Sequence, residues 1–176
     1  MRLPMPTVLR HLLAIAALPF VVAVPIPIWI ARASNVRLAL VTTMPQLFAQ
    51  IAGLGLLLIG LSLFVSSLRR FASDGKGTLA PWDPPRHLVV LGPYRYVRNP
   101  MISGVAFVLF GEALLLLSGP LFQWALIFLL INAIYIPLFE ERQLKERFGE
   151  EYIEYSRHVS RLVPRLRPWT PPNVGR

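Results

Sequence analysis

Four stretches of this chain are long and apolar enough to cross a lipid bilayer, or nearly so. A transmembrane helix needs about 20 mostly apolar residues to cover a hydrocarbon core roughly 30 Å thick. Within lipid, main-chain polar groups must find their partners inside the protein, which favours helices. We therefore expect an all-α, polytopic membrane helical bundle that forms one domain over residues 1–176, with about four transmembrane helices at 11–31, 47–68, 102–118 and 121–139.

The first two predicted spans differ in regularity. The first contains three prolines within residues 19–27, which should kink it or leave its second half irregular. A cleaved signal peptide is the alternative there, although the apolar stretch is longer than such a peptide needs. The second span carries no charge, and Gly53, Gly60 and Ser67 recur in it every seven residues. That spacing places small side chains on one face, where another helix can approach closely.

The third and fourth predicted spans are separated only by Gly119 and Pro120, so they should form an antiparallel hairpin. The third carries Glu112 near its centre. A carboxyl group inside the membrane costs several kcal/mol unless it is paired or neutral, so Glu112 should face the bundle or a cavity rather than lipid. We expect a structural role, in which Glu112 bonds to Gln123 or Asn132 of the fourth span, in preference to a catalytic one.

The distribution of positive charge predicts the orientation of the chain. Of its 18 Lys and Arg residues, all but Arg32 and Arg37 fall near the N-terminus, in the loop 69–101 or in the tail 140–176. The positive-inside rule therefore places both termini, the loop and the tail in the cytoplasm. We expect a multi-pass protein of the bacterial inner membrane, whose formal charge of +9 reflects topology and attraction to anionic membrane lipid rather than to nucleic acid.

The composition also limits the chemistry. The chain contains no cysteine, which excludes disulfides, thiolate nucleophiles and Cys-ligated zinc. Its three histidines, His11, His87 and His158, lie far apart and form no metal-binding spacing, so we expect no metal site.

Both cytoplasmic segments have features of folded structure. The loop combines prolines and glycines with aromatic and aliphatic residues, a pattern that favours a fixed, turn-rich structure over a disordered linker. The tail should form an amphipathic C-terminal helix that resumes after Gly149. Its apolar stripe consists of Phe148, Tyr152, Tyr155, Val159 and Leu162. On spacing alone, this helix is expected to lie on the bilayer or to cap the bundle.

The predicted hairpin brings two polar features to one level of the membrane. Because the cytoplasmic ends of the third and fourth spans are neighbours, the acids Glu140 and Glu141 should lie close to the loop at Tyr94–Pro100. Either acid can also simply pair with a base one turn along, as Glu141 can with Lys145. Acids, arginines, tyrosines and loop backbone together suit a cationic, nucleoside-bearing ligand.

In this region the sequence resembles the superfamily of isoprenylcysteine carboxyl methyltransferases and phospholipid N-methyltransferases. The resemblance rests on Gly92–Pro100 (GPYRYVRNP), the helical hairpin, Glu140 with Glu141, Phe148–Tyr155 (FGEEYIEY) and Arg161–Pro164 (RLVP). It covers roughly residues 74–168. It implies an integral membrane enzyme that binds S-adenosylmethionine from the cytosol and methylates a lipidic substrate reached from the bilayer.

The resemblance also points to candidate site residues. Those implied to bind the cofactor are His87, Leu88, Val89, Val90, Tyr94, Asn99, Pro100, Met101, Ile102 and Glu140. For catalysis we select Glu141, Arg98 and Asn99. Glu141 can take a proton from an amine acceptor, and Arg98, like Arg95, can hold the cofactor carboxylate or an acceptor phosphate.

Two positions depart from the pattern of the superfamily. Histidine is usual where this chain has Asn99, and asparagine can donate a hydrogen bond but cannot titrate near neutral pH. The isoprenylcysteine enzymes place a substrate-binding arginine where this chain has Ile136, so recognition of a prenylcysteine carboxylate is not expected.

The function that this resemblance implies is methyl transfer from S-adenosylmethionine to a lipid-soluble acceptor at the cytoplasmic face of the membrane. A phospholipid amine is favoured over a carboxylate or thiol of a small lipophilic molecule. Two alternatives are a membrane reductase that uses a nicotinamide cofactor and a non-catalytic membrane scaffold of the same fold. Cofactor binding distinguishes all three.

Overall fold

The computed structural model of the protein describes residues 19–37, 42–74 and 88–170. These residues are helical or irregular, which confirms the all-α prediction for the part of the chain described. The helices are α1 (Pro25–Ala33), α2 (Met44–Asp74), α3 (Pro100–Leu115), α4 (Gly119–Tyr135) and α5 (Glu141–His158). A 3-10 turn at Gly92–Arg95 precedes α3, and a π-helical segment at Ile136–Glu140 joins α4 to α5.

Two of the helices are long and apolar enough to cross a membrane, at residues 44–70 and within 119–158. Both leave large apolar side chains exposed along their length, among them Ile51 and Leu58 on α2 and Leu130 and Ile131 on α4. Apolar surface on this scale is unfavourable in water and is suited to lipid. The apolar helices at Pro19–Ala33 and Pro100–Leu115 are shorter. Residues 11–18 of the first predicted span lie outside the described residues.

Helices α2 and α3 pack closely along a seam of glycines. A Cβ atom added to Gly60 would lie 2.6 Å from the main-chain oxygen of Gly104, and one added to Gly53 would lie 2.8 Å from that of Gly111. No side chain fits at such distances, so the two backbones touch. Ser67, the third position of the predicted small face, is also buried. The prediction of a close approach on this face of α2 is confirmed.

The hairpin of α3 and α4 forms as predicted, but its turn comes earlier. The turn consists of Leu116–Ser118, and Leu117 adopts a positive φ of 49°. Ser118 then caps α4 by accepting a hydrogen bond from the amide of Leu121 (3.3 Å). Gly119 and Pro120 belong to the first turn of α4. Proline fits there because the N–H that it lacks would have no partner within the helix.

Glu112 lines a cavity of about 210 Å³, one of the two surroundings predicted for it. The cavity is otherwise apolar and is lined by residues such as Phe20, Leu57 and Val105. The expected bond to the fourth span is wrong: Oε2 of Glu112 is buried without a partner among the described residues, and the Asn132 amide donates instead to a main-chain oxygen of its own helix.

The helix that begins at Gly119 continues past the apolar stretch to His158. Pro137 is accommodated by the π-helical segment. A wider turn reduces the clash of a proline ring with the preceding turn. It also accommodates a residue that has no N–H to donate. At Gly149 the backbone adopts φ 51° and ψ −129°, and α5 kinks there. Only glycine adopts this conformation readily, which explains the predicted interruption.

Candidate active site

The tail folds back over the loop that precedes α3. The amides of Arg98 and Asn99 donate to the main-chain oxygens of Ser160 (2.9 Å) and Arg161 (3.2 Å). Farther along, the amide of Arg165 donates to the oxygen of Tyr96 (2.9 Å). The loop and the tail are therefore one structure, held by main-chain hydrogen bonds between residues about 60 positions apart.

The aromatic stripe of α5 packs against the loop and not against the bilayer. Tyr152, Tyr155 and Val159 are buried, and the side chains around them are Leu88, Val90, Leu144, Phe148 and Trp169. The Tyr155 hydroxyl donates to the main-chain oxygen of Tyr94 (2.6 Å). This helix was expected either to lie on the bilayer or to cap the bundle, and its buried stripe agrees with the cap. Leu162, the last member of the predicted stripe, is half-buried.

Arg95 binds the end of the tail. Its Nε donates to the main-chain oxygen of Trp169 (2.8 Å), and its Nη2 donates to the Thr170 hydroxyl. The amide of Trp169 in turn donates to the main-chain oxygen of Arg95 (2.9 Å). Arg95 is therefore engaged in closing the loop and tail together.

Glu141 lies at the centre of a buried ionic cluster. Its Oε1 accepts from Arg161 Nε (2.6 Å) and lies 2.8 Å from Arg98 Nη1, while its Oε2 accepts from Arg161 Nη2 (3.0 Å). Only 8% of the Glu141 side chain is exposed. Burial alone would raise the pKa of Glu141, but the hydrogen bond from Arg161 and the charges of both arginines outweigh it and lower the pKa. Its closest ionic partners thus come from the loop and the tail rather than from Lys145 on its own helix.

Arg98 connects the ionic cluster around Glu141 to the buried Tyr152. Its Nη1 also donates to the Tyr152 hydroxyl (3.2 Å), and its side chain is 11% exposed. Its Nε is buried and has no hydrogen-bond partner among the described residues. An unpartnered guanidinium N–H is costly, and a ligand with an acceptor group would satisfy it.

Glu140, next to this cluster, has a different environment. Burial, followed by the negative charge of Glu141, raises its pKa to about 7, with Arg98 acting in the opposite direction. The Asn99 amide, turned so that its nitrogen meets acceptors, donates to Glu140 Oε1 (3.1 Å) and to the main-chain oxygen of Arg98 (3.2 Å). Burial and the charge of Glu140 also raise the pKa of Tyr94. Glu140 is thus a carboxyl group that changes charge near neutral pH beside a tyrosine and an amide.

The structure brings Tyr94, Arg98, Asn99, Glu140 and Glu141 together at one end of the bundle. Pro100 is buried at the start of α3. The other candidates lie beside this group as half-buried residues of the loop or the first turn of α3, namely Leu88, Val89, Val90, Met101 and Ile102. His87 lies outside the described residues.

Two members of the cluster were not among the predicted site residues: Arg161 and Tyr152. Arg161 could have been anticipated, since two adjacent acids at the end of an apolar helix require nearby cations once they are buried. Tyr152 was predicted only as part of the apolar stripe. Spacing along a helix identifies its buried face but not the hydroxyl's partner, which lies 54 residues away in the sequence.

Comparison with known proteins supports a specific family. A family model described as phospholipid methyltransferase matches residues 48–151, more than half of the chain. The match begins within α2 and includes the loop, the hairpin, both acids and the first half of α5. No curated protein and no solved structure matches the chain.

Proposed function

Because the chain belongs to the phospholipid methyltransferase family, we propose that it transfers the methyl group of S-adenosylmethionine to the amine of a membrane phospholipid. Members of this family are S-adenosylmethionine-dependent methyltransferases that act on lipids, so the chain is an enzyme of this kind and uses this cofactor. The family and the long apolar helices also make it a multi-pass integral membrane protein.

The residues at the end of the bundle fit this cofactor. The buried Arg98 Nε lacks a partner among the described residues and suits a carboxylate such as that of the methionine part. Glu140 suits amino or hydroxyl groups, because a carboxylate accepts hydrogen bonds from them. We assign the cofactor to these two residues together with Tyr94, the segment 88–90 and the first turn of α3. Family membership carries the proposed activity, and this unpartnered Arg98 N–H, beside an acid of raised pKa, is the observation that supports placing the cofactor here.

When bound, S-adenosylmethionine supplies a sulfonium methyl group that the acceptor nitrogen attacks as the carbon–sulfur bond breaks, leaving the electron pair on sulfur. The chain holds the reactants in line and keeps water away. Tyr152, Tyr155 and Val159, buried beneath the loop, make the site rigid and dry. Arg98 and Arg161, both fixed by Glu141, place the loop against the tail.

The two acids are suited to different roles. A phospholipid amine is protonated near neutral pH and must lose a proton before it is methylated. A base works best when its pKa lies near the working pH, as that of Glu140 does. Both oxygens of Glu141 bind arginines, and its pKa is lowered, so it is a poorer base. We therefore favour Glu140 as the proton acceptor and Glu141 as the residue that positions the arginines.

The proposal includes a topology. The chain forms one domain with four spans, in which the two shorter apolar helices cross the membrane beside the longer ones. Both termini, the loop and the tail face the cytoplasm, as the positions of Lys and Arg predict. A phospholipid then reaches the site from the bilayer, and the cofactor reaches it from the cytosol.

Isothermal titration with S-adenosylhomocysteine tests this function directly. The purified protein in detergent should bind it saturably and should not bind a nicotinamide dinucleotide. Glu140→Gln and Tyr94→Ala should each weaken the binding and leave the protein folded. If both variants bind normally, the proposed pocket is wrong. If the folded wild type binds the dinucleotide instead, the reductase alternative holds, and if it binds neither, the scaffold does.

The pH dependence of this binding provides a sharper prediction. Because the pKa of Glu140 is about 7, lowering the pH through this value neutralises the carboxylate that accepts from the ligand. We expect the dissociation constant for S-adenosylhomocysteine to rise by up to about tenfold per pH unit below 7. Glu140→Gln should bind weakly and show a flat profile. An equally steep profile in this variant would assign the titration to another group.

Replacement of Asn99 tests the hydrogen bond to Glu140. Asn99→His keeps a donor toward Glu140, so the affinity for S-adenosylhomocysteine should change by less than about fivefold. Asn99→Leu removes the donor and should weaken binding by about tenfold, the usual value of one such bond. Equal affinities for all three proteins would show that the amide does not support Glu140.

A further inference from the structure

A second polar feature lies outside the cluster of Glu140 and Glu141. It is an open groove between the end of α2 and the 3-10 turn, with a volume of about 620 Å³. One wall is the face of α2 that carries Ser62, Val65, Ser66, Arg69 and Arg70, and the other is formed by Gly92 and Pro93. None of these lining residues is acidic.

The two arginines give this groove a strong positive charge. Both are exposed on its rim. Arg70 lies directly against Gly92, because a Cβ atom there would be 3.1 Å from Arg70 Nε and 3.2 Å from its Cγ. Gly92 also has a positive φ of 56°, a conformation that favours glycine, and any larger residue there would press on the arginine side chain. Guanidinium groups bind phosphate oxygens in pairs of parallel hydrogen bonds, which suits this groove to a phosphate.

The depth of the groove indicates that this phosphate belongs to a lipid. Arg69 and Arg70 follow immediately after the apolar part of α2, which in the proposed topology puts them at the level of the headgroups. Ser66 lies about 5 Å and Ser62 about 10 Å deeper along the helix axis, at 1.5 Å per residue. The interfacial region of each leaflet is roughly 5–8 Å thick, so Ser66 reaches the level of the glycerol esters and Ser62 lies at the edge of the hydrocarbon. A soluble phosphate would not need polar groups at that depth.

The position of the groove relates it to the active site. Gly92 and Pro93 line the groove, and Tyr94 of the same 3-10 turn lies beside Glu140. A ligand in the groove and a ligand at Glu140 are thus separated by one short turn. In a phospholipid with an ethanolamine headgroup, two carbons separate the amine from the phosphate oxygen, so a phosphate bound in the groove would keep the amine close to this turn.

We propose that the groove of Arg69, Arg70 and Gly92 binds the phosphodiester of the methyl acceptor, a glycerophospholipid with a terminal amine, and directs that amine past Tyr94 toward Glu140. This inference rests on the proposed function, because it names the acceptor of that reaction. It adds a binding site for the acceptor that is distinct from the cofactor residues, and it makes phosphate recognition the basis of substrate choice.

Binding measurements can test this without relying on activity. Dihexanoyl-phosphatidylethanolamine is titrated into the protein in detergent, with a diacylglycerol of the same chains as the lipid that lacks phosphate. The wild type should bind the phospholipid saturably and the diacylglycerol at least tenfold more weakly. Arg69→Ala with Arg70→Ala should reduce phospholipid affinity at least tenfold, whereas the paired lysine substitutions, which keep the charge and the orientation signal, should reduce it less. Arg157→Ala, which removes an exposed charge on α5, should leave it unchanged.

The outcomes are distinct. Equal phospholipid binding by the wild type and the double alanine variant overturns the inference, and so does competition by inorganic phosphate as strong as that by the lipid. The double alanine variant should bind S-adenosylhomocysteine like the wild type, which shows that it is folded. If the wild type itself does not bind S-adenosylhomocysteine, the proposed function fails, and the lipid titration still decides whether the groove is a phospholipid site.

Discussion

Glu141→Gln is expected to lower the free energy of unfolding by about 3 kcal/mol, the lower end of the range for breaking a buried ion pair. The substitution leaves Arg98, which is 11% exposed, and Arg161, which is 36% exposed, without their shared counter-charge. Water around Arg161 keeps the value at the lower end. Chemical unfolding in detergent, followed by tryptophan fluorescence, measures the change. Glu146→Gln is the matched control, because its pair with Arg142 is exposed and contributes less than about 0.5 kcal/mol.

The destabilisation should depend on pH in a defined direction. The pKa of Glu141 in the folded protein is below its ordinary value of 4.5. Such a group stabilises the folded state above its unfolded pKa, and the stabilisation is lost as the pH falls through its folded pKa. The stabilities of the wild type and Glu141→Gln should therefore differ fully at pH 7 and converge in acid. A constant difference down to low pH would mean that the ion pairs are not its source.

Gly60→Leu should prevent the native packing of α2 on α3. The new side chain would have to occupy space within 2.6 Å of the Gly104 oxygen and 2.8 Å of the Val108 amide nitrogen. Main-chain atoms of a helix cannot move aside, so we expect a loss of at least about 3 kcal/mol, the upper end of the usual effect of overpacking. The yield of monodisperse protein in detergent and its unfolding midpoint should both fall.

Gly55→Leu provides the control for this substitution. Gly55 lies on the same helix, but a Cβ atom there would meet nothing within 4 Å. The two variants add the same apolar side chain at positions five residues apart. If Gly55→Leu is equally damaging, the effect comes from helix α2 itself, and the contact with α3 is not its cause.

Hydropathy and spacing predicted the long apolar helices among the described residues, because a lipid environment allows few other backbone structures. A stretch without charge such as residues 47–68 can satisfy its backbone in a membrane only as a helix. The recurrence of Gly53 and Gly60 indicated the packed face for a similar reason, since only small residues allow two helices to touch. The relation of Glu140 to the loop followed from the antiparallel hairpin alone.

The contacts within the site could not be predicted in this way. Arg161 reaches Glu141 because residues 159–170 return to the loop, and main-chain hydrogen bonds of that kind leave no periodicity in a sequence. The bond between Asn99 and Glu140 depends on side-chain orientations at the junction of three segments. The resemblance to a family named Asn99 and Glu140 as site residues, but it did not indicate that one donates to the other.

The return of the tail to the loop has a consequence for the assembly of the protein. Arg98 and Asn99 emerge from the ribosome some 60 residues before Ser160 and Arg161, the residues whose carbonyls accept from them. The apolar helices can therefore enter the membrane while the loop still lacks its partner. In the order of synthesis, the contacts between the loop and the tail form after the apolar helices have been made. A chain halted before residue 159 would lack the tail residues that bind the loop and Glu141.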